Sequence, residues 1–112
     1  MIDQQAISEI FATYKKYGWI LRRVLLSASL KNDLGELTAG LSNDVKIVDS
    51  TIDAAWFSRP PKSGGVAWEI RYLGEMPFAL LENIDEEDAD FENRLREVED
   101  RLSNSIAAKR TA

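Results

Sequence analysis

From Val66 to Leu73 the chain alternates. Val66, Trp68, Ile70 and Tyr72 fall on one side of an extended segment, and Ala67, Glu69, Arg71 and Leu73 on the other. A period of two is the signature of a strand, and the large apolar set assigns the first side to a core. The neighbouring segments extend this into a hairpin system from Ile52 to Ile84. Upstream, Asp44 to Arg59 reads as extended, either one bent strand or two short ones, because its apolar parity changes near Asp49-Ser50. The connection Pro60-Pro61-Lys62-Ser63-Gly64-Gly65 stops the ladder, since proline lacks an N–H and glycine favours turns. Downstream, Gly74-Glu75-Met76-Pro77 turns the chain into Phe78-Ala79-Leu80-Leu81, which carries no polar side chain on either face. A strand apolar on both sides is ordinarily covered on both sides.

Helices flank this system. Ala6, Ile7, Ile10, Phe11, Tyr14 and Tyr17, with Ile2 before them, recur at helical spacing between Asp3, a capping residue, and Gly18, a stop signal. Trp19 to Leu26 reads as a strand whose Arg22 and Arg23 point to opposite faces. Ser27 to Asn43 carries leucines at positions 30, 34, 37 and 41, enough for a short helical turn from Leu34 to Leu41, and the segment is long enough to cross a sheet edge or cover one face. The C-terminal helix begins in the acidic run at Asp85 and carries the stripe Phe91, Leu95, Val98, Leu102 and Ile106. Asp90 with Arg94, Glu92 with Arg96, and Glu97 with Arg101 stand at i,i+4 spacing. Residues 108–112 are expected to fray. The fold expected is α+β in one domain spanning residues 1–112: an N-terminal helix, an antiparallel meander of about four strands, and a long C-terminal helix, with the helices mainly on one face.

Composition narrows the chemistry. The chain has no cysteine and no histidine, which removes thiolate chemistry, disulfides, Cys-type metal sites and the usual general base near neutral pH. No cofactor and no metal site is expected. Lys62-Ser63-Gly64-Gly65 lacks the order of a phosphate loop and leads into a strand instead of a helix. The acidic run lacks the alternate ligands and central glycine of a calcium loop, and helix-start charge explains it better. The net charge of -5 arises from Glu82 onward, where ten acids face five bases; the preceding part is balanced. That field opposes nucleic acid, for which Arg22, Arg23, Arg59, Lys62 and Arg71 together with the aromatics form the basic set to consider. With no leader-like start and no long apolar run, a cytoplasmic protein without membrane attachment is the expectation.

Two functional readings follow. The first is a small, acidic, soluble protein-interaction module that homodimerises and binds a protein partner, with Phe78, Leu80, Leu81, Trp56 and Phe57 as candidate interface residues. Aromatic and apolar side chains dominate interface anchors, and the strand at Phe78 to Leu81 needs cover on its second face. The alternative is a small-molecule site or enzyme built on Asp53, Arg59, Glu69 and Arg71, with Asp49 and Tyr72 nearby. Carboxylates can act as acid and base when their surroundings push their pKa values apart. Cross-strand ion pairing accounts for the same residues more simply, so a non-enzymatic role is favoured.

Overall fold

The computed structural model describes residues 3–60, 66–74 and 76–111, with side chains through residue 109. Helix α1 (Gln4–Lys16) starts where Asp3 accepts from the Ala6 N–H at 2.8 Å. It ends with the Trp19 N–H donating to the Tyr14 carbonyl at 3.0 Å, a closure that places Gly18 at φ 87°, where a side chain would be strained. Strand β1 (Ile20–Leu26) follows. Where one helical turn from Leu34 to Leu41 is expected there are two short helices, α2 (Ala28–Asp33), outside those bounds, and α3 (Gly35–Ala39), within them, with Leu30, Leu34, Leu37 and Leu41 turned to a shared core. Then come β2 (Lys46–Asp49), β3 (Ala54–Arg59), β4 (Ala67–Tyr72), β5 (Ala79–Asn83) and α4 (Phe91–Thr111).

The sheet corrects the expected meander. It has five strands in the order β2-β1-β3-β4-β5, with β2 parallel to β1 and the remaining pairs antiparallel. The parity change at Asp49-Ser50 separates two short strands, β2 and β3, in place of one bent strand. The Ser50 N–H donates to the Leu26 carbonyl at 3.0 Å as the chain passes the end of β1, leaving β2 on one flank of β1 and β3 on the other. A parallel neighbour requires a crossover, and α2 and α3 form it.

The expectation that the helices share one face also gives way. Leu25, Ala54, Trp56, Trp68 and Ile70 pack with Leu95, Val98, Leu102 and Ile106 of α4. Val24, Leu26, Ala55, Phe57 and Leu73 pack with Ile7 of α1 and with Leu30 and Leu34 of the crossover. Successive residues of a strand point to opposite sides, so these are two cores separated by the sheet. The strand covered on both faces is β3, where Ala54 to Ser58 are all buried, and not β5.

Two local expectations also change. Between Leu21 and Arg23 the β1–β3 register slips by one residue, with Leu21 opposite Phe57 and Arg23 opposite Trp56. This bulge brings Arg22 and Arg23 to the same side: Arg22 lies over the Trp68 ring and Arg23 over the Phe91 ring, with centroid distances of 5.2 and 5.6 Å. The acidic run before α4 forms turns, with Asp85 accepting from the Glu87 N–H and Asp88 from the Asp90 N–H at 2.9 Å each. The helix therefore begins at Phe91. Its charged side chains reach other elements in preference to i,i+4 partners, Glu92 pairing with Arg23 and Arg101 with Glu82.

Candidate functional site

Strand β5 forms an edge of the sheet. Across the β4–β5 ladder the Tyr72 N–H donates to Phe78 at 2.8 Å and the Ile84 N–H to Val66 at 3.1 Å. In an antiparallel ladder, alternate residues face the partner strand, so Ala79, Leu81 and Asn83 direct their N–H and C=O groups outward. The Asn83 carbonyl accepts from Arg94 at 3.4 Å, and no described strand pairs with the groups of Ala79 and Leu81. Neither lysine nor proline lies within β5 to blunt this edge. Leu81, at its centre, is 61% exposed.

The predicted interface residues divide by burial. Trp56 and Phe57 are 0% and 1% exposed, on opposite sides of β3. Phe78 and Leu80 are half-buried against the α4 core, whereas Leu81 stands open on the other face. Four apolar residues in a row are thus served by one covered face and one open one.

The candidate ligand residues also divide. Glu69 and Arg71 share the α1 side of β4, opposite Leu81 and Ala79 of β5. The Glu69 carboxylate accepts a hydrogen bond from the Tyr14 hydroxyl, whose ring stacks on Phe57 at 3.9 Å. Burial, and then the bond to Glu69 and its charge, push the Tyr14 phenol well above its usual range, against the opposing charge of Arg71. Tyr14 is therefore held as a proton donor and is no base at neutral pH. Arg71 donates to the Tyr72 carbonyl. Arg59 lies over the Trp19 ring, 4.6 Å from its centroid.

Asp53 is elsewhere. Its carboxylate accepts from the Ser27 N–H at 2.6 Å and from the Ser27 hydroxyl at 3.2 Å, tying β3 to the start of α2. It borders a recess of about 270 Å³ with Thr51, Tyr72 and Ser103. Asp49 pairs with Lys31 at 2.8 Å. Lys62, Ser63 and Glu75 lie outside the described residues. No group of three or more Asp or Glu side chains positioned to hold a metal ion occurs among the described residues.

A second charged assembly was not legible in the sequence, because it depends on the β1 bulge. Arg23 donates two bonds to Glu92, at 2.8 and 2.6 Å, and Glu99 accepts from the Trp56 indole at 2.8 Å. The bond to Arg23 holds the Glu92 carboxyl below its usual value, while burial pushes that of Glu99 up. Folded Glu99 thus keeps its proton to a higher pH than it does in the unfolded chain. Its ionised form weakens the fold above the folded pKa, and that penalty fades as pH falls through it. Glu99→Gln preserves an acceptor for Trp56 and removes the charge. Its stability advantage over the parent, measured by urea unfolding, is expected to be largest near neutral pH and to shrink on acidification; an advantage independent of pH would contradict burial as the cause.

Comparison with protein-family models, curated proteins and solved structures gives no match. No helix among the described residues is long and apolar enough to cross a membrane. Of the candidate ligand residues, Glu69 and Arg71 share one face of β4, while Asp53 and Arg59 lie elsewhere, each with its own partner.

Proposed function

We propose that the chain is a protein-interaction module that assembles as a homodimer by pairing its β5 edges. The observation that supports this reading is Leu81, exposed at the centre of an edge strand whose outward backbone groups have no strand partner among the described residues. Antiparallel pairing about a twofold axis through Leu81 sets Leu81 against its own copy and Ala79 against Asn83. The register is self-complementary. On the α4 side, Glu82 meets Leu80 of the second copy, and Glu82 already holds Arg101 of its own chain, so no like charges stand directly opposed. The two sheets become continuous, and both edges are removed from solvent. The resulting surface would be the platform for a further protein partner.

Sedimentation equilibrium at micromolar concentration tests the assembly. The parent chain is expected to be dimeric, and Leu81→Lys a folded monomer, because two ammonium groups would meet on the axis while each stands opposite the Glu69 carboxylate of its own chain. Ala79→Pro removes an outward N–H without touching the β4 ladder and should also weaken association. Leu80→Glu, by contrast, should destabilise the fold, since Leu80 packs toward α4. A parent chain that stays monomeric, or a Leu81→Lys variant that stays dimeric, overturns this interface.

A further inference from the structure

Away from β5, a cleft of about 390 Å³ opens between α1, the start of β1, Phe57 of β3 and the connection from α3 to β2. Its lining is apolar: Phe11, Trp19, Leu21, Leu41, Val45 and Phe57 supply most of it. Phe57 is fully buried, and Ile20, which also lines the cleft, is 51% exposed. The volume falls at the lower end of the range for small-molecule sites, which are typically apolar with a few oriented polar groups.

The polar groups here are few and unequal. Ser42 donates its hydroxyl to Asp44 at 3.5 Å. Lys15 is the one charged residue among the described lining residues, and it has no carboxylate partner there. Lys16, next along, lies over the Tyr17 ring. A second cation stands close by: Arg59, over the Trp19 ring that forms part of the lining, likewise has no carboxylate partner among the described residues. In a chain of net charge -5, an apolar cleft accompanied by two uncompensated cations is complementary to an anion with an apolar body.

We propose that this cleft binds a small monocarboxylate with an apolar chain, the chain lying along Leu21 and Val45 and the carboxylate meeting Lys15. A cation, an alcohol and a carboxylate of equal chain length differ only at the head group. Decanoate, 1-decanol and decyltrimethylammonium, all below their aggregation limits, therefore separate the contributions. Trp19 reports on the cleft directly, because Trp56 and Trp68 are buried elsewhere.

Titration of the full chain with decanoate is expected to give a saturable change in tryptophan fluorescence that is absent from Trp19→Phe. Binding to Lys15→Gln should be about tenfold weaker, the usual size of one charge-assisted hydrogen bond. Decanol should bind the parent about as weakly as decanoate binds that variant, and the ammonium probe more weakly still. Lys15 is an exposed helix residue, so its replacement leaves the fold intact; Leu41→Trp, which fills the cleft, should abolish binding, with urea unfolding confirming that each variant is folded. Equal affinity for all three head groups, no effect of Lys15→Gln, or no saturable signal from decanoate would each overturn the assignment. The lining residues come from α1, β1, β3 and the connection from α3 to β2, with none from β5, so Leu81→Lys should leave decanoate binding unchanged, and the two proposals stand or fall separately.

Discussion

Trp68→Ala is expected to lose about 3–5 kcal/mol in chemical denaturation, among the largest effects of any single replacement in this chain. Trp68 is 1% exposed, with its ring edge-on to Trp56 at 6.0 Å and to Phe91 at 5.3 Å. Removing it opens a cavity where β4, β3 and α4 meet. A loss below about 1 kcal/mol would place the side chain at the surface and invert the assignment of faces. A paired experiment separates packing from hydrogen bonding. The Trp68 indole N–H is buried without an acceptor among the described residues, whereas the Trp56 indole donates to Glu99. Phenylalanine at position 68 therefore loses ring area but removes an unsatisfied donor, although it also weakens the contact with Arg22. Phenylalanine at position 56 loses area and strips a half-buried carboxylate of its donor. Trp56→Phe should thus cost more than Trp68→Phe by about 1 kcal/mol or more.

These two tryptophans also show what local pattern can reveal. Alternation along Val66 to Leu73 placed Trp68 in a core from sequence alone, and the 91, 95, 98, 102, 106 stripe marked the side of α4 that the structure buries. Both patterns are set by residues a few positions apart, whose relative directions follow from backbone geometry. Longer-range relations left no such trace. No neighbouring residue indicates that β2 lies parallel to β1, because that depends on how the crossover of α2 and α3 packs. The β1 bulge carries no glycine to announce it, so strand alternation alone puts Arg22 and Arg23 on opposite faces, and helical spacing alone pairs Glu92 with Arg96 instead of Arg23. Charged side chains on an exposed helix have several partners within reach, and i,i+4 spacing is worth only a few tenths of a kcal/mol, too little to decide among them. The candidate site shows the same division. Apolar character at Phe78 to Leu81 was visible, but the identity of the open side depended on register: Leu81 falls opposite Glu69, on the face away from α4.

The placement of helices on both faces of the sheet has its sharpest consequence at Phe57. With both helices on one face, one of the adjacent residues Trp56 and Phe57 would be exposed and cheap to replace. With α4 on one side and α1 on the other, both are costly. Phe57 stacks on Tyr14 at 3.9 Å and meets Phe11 edge-on at 6.0 Å, so Phe57→Ala is expected to lose about 3–5 kcal/mol. The loss should exceed simple cavity formation if Tyr14 is also released, since its ring position directs its hydroxyl to Glu69. Tyr14→Phe isolates that part. It keeps the stack and removes the donor, and should cost about 1 kcal/mol as the half-buried Glu69 carboxylate loses its partner. In a double-mutant cycle the effects should be non-additive: once Phe57 is absent, removing the hydroxyl should cost less, because the ring no longer holds it in place. Additive losses would mean that Tyr14 is positioned by α1 alone. A Phe57→Ala loss below about 1 kcal/mol would mean that α1 does not seat on this face, which would also remove a wall of the apolar cleft beside it.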